Sequence, residues 1–192
     1  MSNNIARRLR YSSNKPVPLA QNPQHKFAAN QALLHMASGA VYSFVPKNAC
    51  STLRFSLAVA NGCVDADGPV EWIHANNATF KANLRELITT PYSFIILRCP
   101  FQRLVSVYLD KIVGGYPEGW QLFLPTRTGD DNPQKLSFSD FIERVTRKNA
   151  LRANIHWRPQ VDFFVYKSYD DVFALEDFAQ IEEVLTEKIG FK

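Results

Sequence analysis

Residues 41–54 read VYSFVPKNACSTLR: an apolar, β-rich run, a Pro-Lys turn, a series of small residues, and then a helical pattern. The run belongs to AVYSFV, residues 40–45, and is continuous rather than alternating, as expected of a strand covered on both faces in a parallel sheet. Beyond the turn, STLRFSLAVANG places Leu53, Leu57 and Ala60 at helical spacing and stops at Gly62, a residue suited to the end of a helix. The local order is strand, loop, helix.

A second copy follows. Ser93 to Leu97 form an apolar strand, Arg98, Cys99 and Pro100 make the turn, and FQRLVSVYLDKIVGG continues as a helix. In that helix Phe101, Leu104, Val105, Tyr108 and Ile112 make one apolar stripe, with Arg103, Ser106 and Asp110 expected on the opposite face. Pro100 suits the first helical position and Gly114-Gly115 the end.

Working outward, NQALLHMA (30–37) reads as a short helix, VEWIHANN (70–77) as a short strand and VDFFVYKS (161–168) as another. Residues 116–136 are rich in turn formers and read as a long surface connection. Ser137 and Asp140 have capping-box spacing ahead of a helix, and LEDFAQIEEVLTEKIG (175–190) is an amphipathic helix. Alternating strands and helices predict an α/β fold, a P-loop-like parallel sheet flanked by helices in three layers, with the ligand outside the carboxyl ends of the strands. Residues 1–30 read as a basic, mobile or loosely docked arm and 31–192 as a single domain.

The bulk composition narrows the function. A formal charge of +4 and a pI near 9.0 suit an anionic ligand, but no recognised nucleic-acid module or clustered basic-aromatic face is present. Cys50, Cys63 and Cys99 have no metal-like spacing, which argues for reduced thiols and a cytoplasmic setting rather than a disulfide framework. No apolar run reaches the ~18 residues of a membrane span, and no apolar segment follows the basic N-terminal residues as in a secretory signal.

The two turns carry the chemistry. A helix N-terminus offers unpaired N–H groups and partial positive charge, and Asn48, Ala49, Cys50, Ser51 and Thr52 are small enough to let a phosphate approach them closely. Lys47 adds a full charge at the entrance. The nucleotide-binding Walker loop is absent, because this loop has no glycine and its lysine precedes the small residues. At the second turn, Arg98 offers a bidentate grip on a phosphate and Ser106 a hydroxyl on the following helix. Two separate anion sites point to a ligand with two separated phosphate groups.

VPKNACSTLR resembles the phosphosulfate-binding loop of sulfotransferases, and LRCPFQRLVSVYLDKI resembles their second signature, R-x-P-x-x-R-x-x-S-x-Y. HWRPQ (156–160) and YDDVFALEDF (169–178) are similar to the C-terminal part of the carbohydrate sulfotransferase branch. The resemblance covers roughly residues 41 to 180 and suggests a bacterial-like member. It implies transfer of a sulfuryl group from 3'-phosphoadenylyl sulfate to a carbohydrate or glycoconjugate hydroxyl, without a metal, releasing 3',5'-ADP. By position, Lys47 and the backbone of Asn48 to Thr52 would hold the 5'-phosphosulfate, Arg98 and Ser106 the 3'-phosphate, and Lys47 would also stabilise charge on the leaving oxygen.

A histidine is the natural general base near neutral pH. Of His25, His35, His74 and His156, the resemblance favours His74, between the two signatures, with His156 of HWRPQ as the alternative and Glu71 a weaker carboxylate candidate. Trp72, Trp120, Trp157, Tyr116 and Phe123 are stacking candidates more often found as core. Alternative functions are a sulfotransferase for a small hydroxylated metabolite or lipid, and a non-catalytic nucleotide-binding scaffold of the same fold.

Overall fold

The computed structural model describes residues 6–12, 17–76, 78–123, 132–147 and 150–191. The remaining residues, which include 124–131 of the long connection and 1–5 and 13–16 of the arm, lie outside this description. The chain divides into two compact units, one made of Met1–Leu97 with Gln160–Lys192 and the other of Arg98–Pro159.

In the first unit helix α1 (Pro23–Asn30) precedes strands β1 (Ala32–His35) and β2 (Ala40–Ser43). Helices α2 (Cys50–Ala60), α3 (Trp72–Ala75) and α4 (Leu84–Thr89) lead to β3 (Ser93–Leu97), and strand β4 (Asp171–Ala174) and helix α8 (Phe178–Ile189) close the unit. The sheet runs in the order β1-β2-β3-β4. β2, β3 and β4 are parallel, but β1 pairs antiparallel with β2, so the sheet is mixed rather than wholly parallel.

Alternation along β2 and β3 sends side chains to two cores. Tyr42, Phe94 and Ile96, with Phe44 just past β2, pack with Leu53 and Leu57 of α2 and Ile181 and Leu185 of α8. Val41 on the other face packs with Ala28 of α1 and Leu87 of α4. This gives the expected three layers.

Three expected elements differ. ALLH, read within a helix, is β1; helix α1 ends just before it, its first turn capped by the Asn22 side chain. Within VEWIHANN, Trp72–Ala75 form α3 instead of a strand. VDFFVYKS has a strand's composition but begins in a 3₁₀ turn, Gln160–Phe163, and buries Phe163, Val165 and Tyr166; the strand lies further on, at β4.

Part of the arm is held in place. Leu9 is buried and bridges Tyr166, while the Arg7 guanidinium donates to Thr90 O at 2.7 Å, Pro91 O at 2.8 Å and Ser93 Oγ at 3.0 Å, and pairs with Asp170 at 2.6 Å. Arg7→Ala is expected to lower unfolding free energy by roughly 1–3 kcal/mol in urea titration, from lost charge-assisted bonds. A loss below about 0.5 kcal/mol, the level of an ordinary surface change, would mean that the arm contributes nothing to stability.

The second unit begins with α5 (Pro100–Val107), which continues as a π-helix over Tyr108–Val113, and also contains α6 (Phe138–Thr146) and α7 (Ala150–Ala153). Val107, Ile112, Phe123, Phe141, Val145 and Trp157 form its core. The expected apolar stripe holds in part: Leu104, Tyr108 and Ile112 pack in this core, but Phe101 is 79% exposed and Val105 is exposed, and Arg103, expected on the opposite face, is buried. The π-turn accounts for the phase. Val107 and Ile112, five residues apart, both face the core, and Gly114 N–H bonds Leu109 O at 3.1 Å, five residues back.

Candidate active site

The chain leaves β2 through Phe44 and Val45 and turns at Lys47 and Ala49, the two non-glycine residues with positive φ among those described, at 71° and 54°. Each such residue costs on the order of 1 kcal/mol and persists only where its surroundings impose it. Ala49 is the N-cap of α2, and no side chain caps the helix. The first-turn N–H groups therefore keep their donor capacity. Cys50 is half-buried, and Ser51 and Thr52 are exposed. A left-handed loop on an uncapped helix start, with a lysine at its entrance, has the donor geometry an anion requires.

The loop's surroundings were not visible in the sequence. Asn48 is fully buried, and its Nδ2 donates to Ile96 O on β3 at 2.9 Å and to Gln160 Oε1 at 2.7 Å. One turn into α2, the buried Arg54 guanidinium lies 4.7 Å from the centre of the Phe44 ring, beside the Cys50 thiol, and donates to Ile73 O at 2.6 Å. The loop helix is thereby tied to α3, which carries exposed His74 in its last turn.

The second unit contains the other predicted residues. Arg98 immediately follows β3 and is half-buried, as is Ser106 on α5. Arg103, expected on the polar face, is turned inward, where Nη1 donates to Arg158 O at 2.9 Å and Nη2 to Ile155 O at 3.4 Å. These carbonyls flank His156. The Asn154 side chain fixes that histidine further: its Oδ1 accepts from the His156 backbone N–H and lies 2.8 Å from the ring Nδ1. A backbone N–H can only donate, so the facing atom is an acceptor and Nδ1 must carry the proton. The basic lone pair is then on Nε2.

The other histidines are placed differently. Burial lowers His25 and His35 below the ordinary imidazole value, and His35 Nδ1 is engaged with Ser38 Oγ at 2.7 Å. Trp157 and Phe123 are buried in the second unit's core, with Trp157 Nε1 donating to Ala150 O at 2.9 Å, and Trp120 packs against the same core. Half-buried Trp72 packs against a core of the first unit, and Tyr116 lies under the Lys111 ammonium, 4.2 Å from its ring centre. Among the described residues no group of three or more metal-ligating side chains gathers, and no helix is long and apolar enough to cross a membrane.

Known proteins are similar to this chain in sequence. Human carbohydrate sulfotransferase 14 is 28% identical over 139 residues, covering 62% of this chain and 35% of that protein. The Danio rerio carbohydrate sulfotransferase 14 is 26% identical over 189 residues, covering 87% and 50%, and carbohydrate sulfotransferase 11 of Rattus norvegicus is 27% identical over 158, covering 77% and 40%. The chain thus spans half or less of the length of these relatives. No solved structure matches it. The profile of the sulfotransferase family matches residues 31–187, a stretch that takes in the left-handed lysine loop, the Arg98–Ser106 segment and His156 together, and the chain belongs to that family.

Proposed function

We propose that the protein transfers a sulfuryl group from 3'-phosphoadenylyl sulfate to a hydroxyl of a carbohydrate or glycoconjugate. The observation that carries this reading is the Lys47–Ala49 turn, whose two left-handed residues present an uncapped helix start. When bound, the donor supplies an activated sulfuryl group, whose sulfur–oxygen bond to phosphate breaks as the acceptor oxygen bonds to sulfur. Lys47 and the N–H groups of Ala49 to Thr52 would hold the 5'-phosphosulfate, with the Asn48 N–H closing the turn on Val45 O at 3.2 Å, and Lys47 would balance negative charge on the departing phosphate oxygen. Arg98 and Ser106 would bind the 3'-phosphate.

A histidine takes the acceptor's proton. His74 was favoured on position between the signatures, but the fixed tautomer of His156 supports the latter as base, since an oriented imidazole with its proton held on Nδ1 carries its basic lone pair on Nε2. Three free cysteines support a reducing, cytoplasmic setting. The carbohydrate acceptor rests on the relatives' names, with a small hydroxylated metabolite or lipid as the other acceptor class.

Calorimetric titration with 3',5'-ADP against ADP tests the donor. Selective binding of 3',5'-ADP is expected, weakened about tenfold or more in Arg98→Ala through loss of a charged hydrogen bond. Equal affinity for the two nucleotides, or none for either, would overturn the reading.

A further inference from the structure

We infer that Gln160 is a positioning residue for the donor-binding loop, acting through Asn48; this rests on the proposed role of that loop. Asn48 lies between the two left-handed residues, so its placement determines whether the Lys47 and Ala49 turns close. Its side chain, not its backbone alone, fixes it: both Nδ2 hydrogens are used, on Ile96 O at 2.9 Å and Gln160 Oε1 at 2.7 Å. Contact with a backbone carbonyl fixes the amide orientation, so Gln160 must present its oxygen. Asn48 Oδ1 is buried without a partner, which leaves these two bonds as the compensation for burying the amide.

Gln160 is mounted rigidly enough for this task. It opens a 3₁₀ turn ending at Phe163, which is fully buried and meets the Phe27 ring edge-on at 5.1 Å. Arg10 Nη1 holds the same turn by donating to Val161 O at 2.8 Å. The oxygen that receives Asn48 is thus carried by the core, 112 residues away in sequence. Gln160 is the last residue of HWRPQ and, like Asn48, belongs to the first unit.

Gln160→Met keeps the length of the side chain and removes the acceptor, whereas Gln160→Glu keeps an acceptor oxygen. Gln160→Met is expected to weaken 3',5'-ADP binding about tenfold, the size of effect left by one unsatisfied buried donor, and to raise the donor KM by more than it lowers kcat. Gln160→Glu is expected to recover most of the affinity. Thermal melting of both variants separates a folding defect from a loop defect. Wild-type binding that Gln160→Met leaves unchanged would overturn this inference alone. Equal losses in Gln160→Met and Gln160→Glu would also overturn it. Absence of 3',5'-ADP binding by the wild-type protein would overturn the functional reading and this inference with it.

Discussion

Lys47→Ala is expected to lower sulfuryl transfer by roughly 10²- to 10³-fold at saturating donor, the effect of removing one preorganised group from charge that develops in the transition state. The position complicates the experiment, because Lys47 has a φ of 71° and alanine inherits the same strain. Lys47→Gly removes the ammonium and relieves the backbone, with a gain of up to about 1 kcal/mol in stability. If the charge is what matters, the alanine and glycine variants lose activity alike while differing in stability. Transfer of radiolabelled sulfuryl to a panel of carbohydrate acceptors measures the first, and urea unfolding the second. Near wild-type turnover in either variant would remove Lys47 from the mechanism.

His156→Ala is expected to reduce kcat by about 10²- to 10⁴-fold, the range for a positioned general base, with 3',5'-ADP binding nearly intact. The geometry makes a graded test available. Asn154 holds the Nδ1 proton, and Asn154→Ala should lower kcat less, on the order of tenfold, because the ring keeps its basicity but loses its fixed tautomer and orientation. His74→Ala serves as the comparison. Loss of turnover in His74→Ala with retention in His156→Ala would return the role to His74 and leave Asn154 a purely structural residue.

What could be foreseen from the residues follows a physical division. The strand–loop–helix order around Lys47 and helices α5 and α6 were legible because they depend on local signals: a strand-long apolar run, a cluster of small residues, Pro100 at a helix start and Ser137 with Asp140 in a reciprocal cap. β1 was misread because ALLH is too short for periodicity to separate a strand from a helix. β4 was missed because DVFA is short, carries Asp171 and alternates between half-buried and exposed positions, whereas aromatic-rich VDFFVYKS has the composition of a strand and buries its rings from a turn. Tertiary packing decided both outcomes.

The same division separates the parts of the site. Lys47, Arg98 and Ser106 were proposed from charge, hydrogen-bonding group and spacing at two strand ends. Asn48 was valued only for its smallness and backbone, because its side-chain partners, Ile96 and Gln160, are distant in sequence. Arg103 was placed on the wrong face because the carbonyls that receive its guanidinium, Ile155 O and Arg158 O, are distant in sequence. Arg54, one turn into α2, gave no sign that it would be buried against Phe44 and bonded to Ile73.

The wider turn at Tyr108–Val113 also bears on how this segment tolerates insertions and deletions. A π-turn accommodates one residue more than regular α geometry would, and each residue advances an α-helix by about 100°. A homologous chain one residue shorter here can close the turn into regular α geometry and keep the side chains beyond the deletion facing the same core, because the wide turn had absorbed the extra residue. Such chains align face to face only when a one-residue gap is placed within this turn.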